Sequence, residues 1–186
     1  MSLSRPVARK HIHTRRIQCQ GFERDDGLWD IEALLVDTKT YSFENTDRGT
    51  VGAGEPVHRM HVRLTVDTDL VVQSAEAVTE AAPYTVCANA NMDVAKLAGV
   101  KIGPGWRNAV KKVIGRTQGC THVRDILMGA LAQTAYQTII PVRGRRNPKD
   151  PQTLDTPPPV LGTCIAYASD GPVVERQWPQ FFTGED

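Results

Sequence analysis

The sequence predicts an α+β fold: an antiparallel β-meander packed on one side against helices, with an additional N-terminal hairpin and a C-terminal tail. Three observations predict it. Val62, Leu64 and Val66 alternate with Arg63, Thr65 and Asp67, the period of a strand with one wet face. Asp25-Asp26-Gly27 separates two strand-like runs and is a strong turn signal. From Trp106 onward the apolar residues recur at helical spacing.

The elements follow in order. Ile12 to Cys19 reads as a strand, and Leu28 to Lys39 returns beside it with Trp29, Ile31, Leu34 and Val36. Thr46 to Glu55 is rich in Gly, Thr and Asp and reads as a loop. After the Val62 strand, Thr68-Asp69 makes a turn and Leu70 to Val78 forms the next strand. Asp93 to Leu97 is a single helical turn ended by Gly99. Gly103-Pro104-Gly105 breaks the chain. Trp106, Val110, Val113 and Ile114 then form a helix closed by Gly115. Thr121 is expected to cap the last helix, whose stripe is Val123, Ile126, Leu127, Ala130, Leu131, Thr134 and Ala135. Pro141 is expected to end it. Pro-rich chain follows, then a late strand over Leu161 to Ala168 and a tail through Trp178 and Phe181-Phe182.

The 186 residues suffice for one domain with its own core. The expectation is a single α+β domain over 1–186, with 12–80 mainly strands, 90–140 mainly helices, and 141–186 a Pro-rich linker and docking tail. That apolar tail suggests docking on the body or on a second copy, and so a homo-oligomer. A formal net charge of +1 argues against a nucleic-acid footprint. No apolar run approaches the roughly 20 residues that span a bilayer. The N-terminal residues lack the apolar segment of a secretion signal, so a cytoplasmic protein with reduced thiols is expected.

Four widely spaced cysteines, Cys19, Cys87, Cys120 and Cys164, contain no Cys-x-x-Cys pair. Cys120 and His122 fall where a loop meets a helix, and the positive end of a helix favours thiolate. Cys87 follows Pro83-Tyr84, and His58 opens the Val62 strand. Three segments thus bring His58, Cys87, Cys120 and His122 as candidates for one metal, or for one reactive thiolate. Such a soft set suits zinc or an iron–sulfur cluster. Cys19 and Cys164 lie in strand-like runs and are expected to be buried, although a tail that folds back would let Cys164 close the site. His61 is assigned to the polar strand face, and His11 and His13 to the surface without partners. Asp30 and Glu32 share a strand face. The chain contains no His-Glu-x-x-His, phosphate-loop or dinucleotide fingerprint.

Two resemblances add to this reading. His13-Thr-Arg, Arg24-Asp-Asp-Gly-Leu-Trp-Asp30, Val57-His-x-Met60, Arg63-Leu-Thr-Val-Asp67, Pro83-Tyr-x-x-Cys87 and Gly119-Cys-Thr-His122 resemble the bacterial domain-of-unknown-function family 2889. That family implies no established activity. Residues 56 to 138 are remotely similar to the U-type iron–sulfur scaffold proteins, the IscU and NifU N-terminal type. Met60-His-Val-Arg-Leu-Thr-Val-Asp67 matches their first strand, Cys87 falls near the middle ligand cysteine, and Cys120 opens the last long helix. His58 takes the place of their ligand aspartate. Their first cysteine corresponds to Pro56, and Gly119 replaces the histidine before the last one. The resemblance implies an iron–sulfur-scaffold-like fold and a metal site more than cluster donation.

Three functions remain open at this point. One is a metal-binding protein, zinc or iron–sulfur, in cluster or sulfur handling with a transfer partner. Another is a metal-dependent hydrolase or lyase acting on a small organic molecule, with Tyr84, Arg63 and Asp30 orienting the substrate. The third is a metal-free interaction module whose cysteines are core.

Overall fold

Eleven-residue strands organise the first half of the chain. In the computed structural model, which describes residues 3–184, β1 (His13–Glu23) and β2 (Trp29–Lys39) form a hairpin about the Asp25-Asp26-Gly27 turn. The first two and last two residues, which the single-domain expectation included, lie outside the described residues. The segment expected as a loop contains a short hairpin, β3 (Phe43–Asn45) with β4 (Gly49–Val51). Its turn is made by Asn45, whose Oδ1 accepts from the backbone N–H groups of Asp47 and Arg48 at 3.1 Å each. β5 (Pro56–Val66) and β6 (Val72–Ala81) complete an antiparallel sheet in the order β1-β2-β5-β6.

The register explains the core. Trp29, Ile31, Ala33 and Leu35 of β2 pair with Val66, Leu64, Val62 and Met60 of β5, and all eight are buried. They share one face because side chains alternate along a strand. Asp37 continues the same row of β2 and is only 2% exposed. Its neighbours across the ladder are Arg15 on β1 and His58 on β5. Register shifts beside Asp37 and beside Arg59 mark this end of the sheet as bulged.

Helices cover that face. A 3₁₀ segment, Thr85–Leu97, buries Val94 and Leu97 and is much longer than the single turn expected from sequence. Its first residue is held by Asp47, whose carboxylate accepts from the Thr85 backbone N–H at 2.8 Å. α1 (Trp106–Ile114) buries Trp106, Val110 and Ile114. Then α2 (Thr121–Ile126), a π turn (Leu127–Leu131) and α3 (Ala132–Arg146) follow without interruption. The π turn widens the helix and frees carbonyls from the ladder. Two are recovered by α1: Trp106 Nε1 donates to Leu127 O at 2.7 Å and Arg107 Nε donates to Met128 O at 3.3 Å. Trp106→Phe is therefore expected to cost about 1–3 kcal/mol, since it leaves a buried carbonyl unpaired. Urea unfolding checks this, and an unchanged midpoint would refute it.

Three expectations are corrected. Pro141 does not end the last helix but lies inside α3. Fully buried Ile139 holds the chain on the core there, and this outweighs the one backbone bond that proline removes. Thr121 is the first helical residue rather than the cap, which is Cys120, and no side chain bonds the orphan N–H groups. Leu161 to Ala168 is not a strand: Gly162 turns the chain at φ 71° and Ile165 is 94% exposed, so alternation there buries nothing.

Residues up to 141 and residues from 142 onward form two compact units. In the second, Asp150 caps a turn at Gln152, Tyr167 lies against Trp178 with ring centroids 6.0 Å apart, and α4 (Pro172–Gln177) buries Val174. Among the described residues no helix is long and apolar enough to cross a membrane.

Candidate metal centre

Asp37 is the polar end of an apolar row, and the chain supplies it with four polar partners. Arg15 grips it in a two-pronged pair, Nε to Oδ1 at 2.8 Å and Nη2 to Oδ2 at 2.7 Å. His13 Nε2 lies 3.3 Å from Oδ1, and His58 Nδ1 lies 3.1 Å from Oδ2. Arg15, Asp37 and His58 are ladder neighbours, so the backbone register itself makes this row. His122 approaches from the first turn of α2, with Nε2 3.8 Å from Asp37 Oδ2. The His58 and His122 rings lie 4.0 Å apart at a tilt of 37°.

Burial pushes the Asp37 carboxyl up, but the Arg15 hydrogen bond and charge, with His58 and His13, outweigh it and hold it below the ordinary carboxylate range. Burial pushes both imidazoles down. His58 is lowered further by His122, and His122 by Arg15, while Asp37 opposes the shift in each. The site therefore presents an ionised carboxylate beside two imidazoles biased to the neutral form, which is the protonation state metals require.

One donor atom from each of Asp37, His58 and His122 lies within 4.8 Å of the others. Metal–ligand bonds of about 2.1 Å place neighbouring donors about 3.0–3.4 Å apart. The observed 3.1 and 3.8 Å separations need little adjustment to meet this. Cys120 Sγ lies 3.5 Å from His122 Nδ1 and 3.9 Å from Met60 Sδ. It thus faces Nδ1, while Nε2 is the ring nitrogen near Asp37, the place an outer partner of a metal-ligating histidine takes.

Of the four residues read from sequence as ligands, His58 and His122 meet at Asp37, and Cys120 stands behind His122. Cys87 lines a cleft of about 480 Å³ that both histidines and Cys120 also line. Tyr84 lines the same cleft. Arg63 and Asp30 do not join them. They belong to the outer sheet face, where Arg63 pairs with Glu32 at 2.7 Å and Glu76 at 2.8 Å. Asp30 accepts from Thr65 Oγ1 at 2.8 Å and pairs with Arg24 at 3.2 Å. His61 pairs with Glu80 at 3.1 Å, as its polar-face assignment implies. Two readings are corrected. His13 has a partner in Asp37, and Cys164 is exposed rather than buried because its segment forms turns. Cys19 is half-buried, and burial pushes its thiol up against a hydrogen bond with Thr134.

Asp37, Arg15 and His13 were missed from sequence. The signal was present: Asp37 continues the odd-numbered row Trp29, Ile31, Ala33, Leu35. A carboxylate in a buried register demands partners.

The sequence profile of the family described as "Protein of unknown function (DUF2889)" matches residues 13–137, about two thirds of the chain and all of β1 through the π turn. No curated protein and no solved structure matches the chain.

Proposed function

The chain belongs to the DUF2889 family, and we propose that it is a metal-dependent enzyme whose mononuclear centre, zinc or iron, is held by Asp37, His58 and His122. The observation that carries this reading is the meeting of one buried carboxylate with two imidazoles that line a cleft. Three protein ligands leave a position for water or substrate, which is the pattern of catalytic rather than structural sites. Two imidazoles and a carboxylate suit zinc, and suit ferrous iron as a facial triad. The metal would polarise a bound oxygen or lower the pKa of a bound water.

The chain's own residues supply the rest. Arg15 fixes the Asp37 carboxylate, Cys120 fixes the His122 ring, and the cleft admits the organic ligand. The carrier reading is weaker on this geometry, because a labile cluster needs several thiolates and one thiol stands beside the histidines. The U-type scaffold likeness is retained as a likeness of chain order: strand, strand, a segment bearing Cys87, helix, then Cys120 opening the last long helix. A second reading rests on the 3.5 Å contact of Cys120 with His122, which would make the thiol a nucleophile with imidazole as its base.

Metal analysis of anaerobically purified protein, beside a His58→Ala/His122→Ala double variant, tests the proposal. About one ion per chain is expected, lost in the variant, with X-ray absorption showing nitrogen and oxygen neighbours. No ion in either sample would sink the metal reading. Alkylation of Cys120 faster than that of the exposed Cys164 would then favour the thiol.

A further inference from the structure

We infer that the centre's ligand is a small monoanionic organic molecule with an apolar body of about aromatic-ring size, bound to the metal through its anionic oxygen. This rests on the metal centre proposed above.

The Asp37 carboxylate is already neutralised by the two-pronged Arg15 pair. A divalent ion bound there keeps its positive charge, and among the described residues Asp125 is the further carboxylate that acts on His122. The open position thus favours an anionic oxygen over a neutral one. Beyond it, the cleft of about 480 Å³ falls in the size range of small-molecule sites. Tyr84, Val86 and Cys87 line it together with Gly119 to Thr121 and the two histidines. Among the described residues, no lysine, arginine, aspartate or glutamate lines it.

Those two facts select the ligand. One anionic head is satisfied by the metal. A second charge, such as that of a phosphorylated metabolite or a dicarboxylate, would meet no guanidinium or ammonium along the walls and would lose its hydration uncompensated. An apolar or aromatic body instead gains contact with Val86 and the Tyr84 ring. The basic side chains nearby, His13, Arg15 and Lys39, line a separate hollow of about 360 Å³ together with Asp37 and His58, and His122 does not line it.

The test uses the full chain loaded with one zinc per protein and two hydroxamates that share a chelating head. Benzohydroxamate carries a ring and acetohydroxamate a methyl group. Calorimetric titration is expected to show benzohydroxamate more than tenfold tighter. Val86→Asp places a carboxylate on the cleft wall at a position 66% exposed, so the fold is retained. It is expected to weaken benzohydroxamate at least fivefold, to affect acetohydroxamate less, and to leave zinc content unchanged. Equal affinities for the two hydroxamates, or the same loss for both in the variant, would overturn the inference. Zinc uptake with no hydroxamate binding overturns it alone, whereas failure to take up zinc overturns the metal centre as well.

Discussion

Asp37→Ala is expected to weaken zinc binding by more than about 100-fold, because it removes a ligand rather than an outer-shell partner, whose loss already costs about 10–100-fold. The carboxylate is the junction of Arg15, His13 and His58, so nothing nearby can replace it. Stability should also fall. Breaking a fully buried ion pair from one side costs about 3–5 kcal/mol, but the Arg15 side chain is 38% exposed and can rehydrate, so about 1–2 kcal/mol is expected. Asp30→Ala is the control. It changes the same residue type in the same strand, on the outer face, and should leave zinc affinity alone. Competition against a chelating indicator gives the affinity and urea unfolding the stability. Equal zinc affinity in Asp37→Ala and wild type would remove Asp37 from the centre.

Gly119→Ala should be the most damaging single methyl group near the site. Gly119 has extended backbone, φ −160° and ψ 172°, which any residue adopts, so its reason is space. A Cβ there would fall 2.6 Å from Ile114 Cβ and 2.7 Å from Ile114 O. Ile114 is fully buried and cannot retreat. Overpacking of this kind costs about 1–3 kcal/mol. The displaced chain carries Cys120 and His122, so zinc affinity should fall together with stability. Gly129→Ala contrasts with it. Apart from the helix's own backbone, no atom lies within 4 Å of a Cβ at that helical position, and a gain of about 0.4–1 kcal/mol is expected. Midpoints of urea unfolding for the two variants should move in opposite directions. A Gly119→Ala protein as stable as wild type would show that the α1–α2 corner yields freely.

Much of this architecture was legible because it rests on local chemistry. The Asp25-Asp26-Gly27 turn and the alternation through Val62, Leu64 and Val66 carry the sheet. The Trp106, Val110 and Ile114 spacing carries α1. What was not legible depended on energies contributed from elsewhere. Pro141 reads locally as a stop, but buried Ile139 keeps it in a helix. Leu161 to Ala168 reads as a strand, yet no neighbouring strand pairs with it.

The site divides in the same way. His58, Cys120 and His122 were visible as residue types at element boundaries. Asp37 was hidden by being read for its strand rather than for its row. Only pairing with β5 shows that it stands opposite His58. Cys87 was visible by residue type, and the 3₁₀ segment places it in the lining of the cleft that His58, Cys120 and His122 share.

The π turn at Leu127–Leu131 sets the phase between two jobs performed by one helix. Ahead of it, α2 aims His122 at the sheet's polar end, and beyond it, α3 lays Ala135 and Ile139 on the core. Each residue of an α-helix advances the face by about 100°. Removing one residue from the turn would restore a regular helix but rotate one half by that angle against the other. Either the histidine would leave Asp37 or the apolar stripe would leave the sheet. The irregular turn acts as a clutch plate: it lets a binding residue and a packing surface with different angular requirements run on one shaft, and it ties the aim of His122 to the seating of the helix behind it.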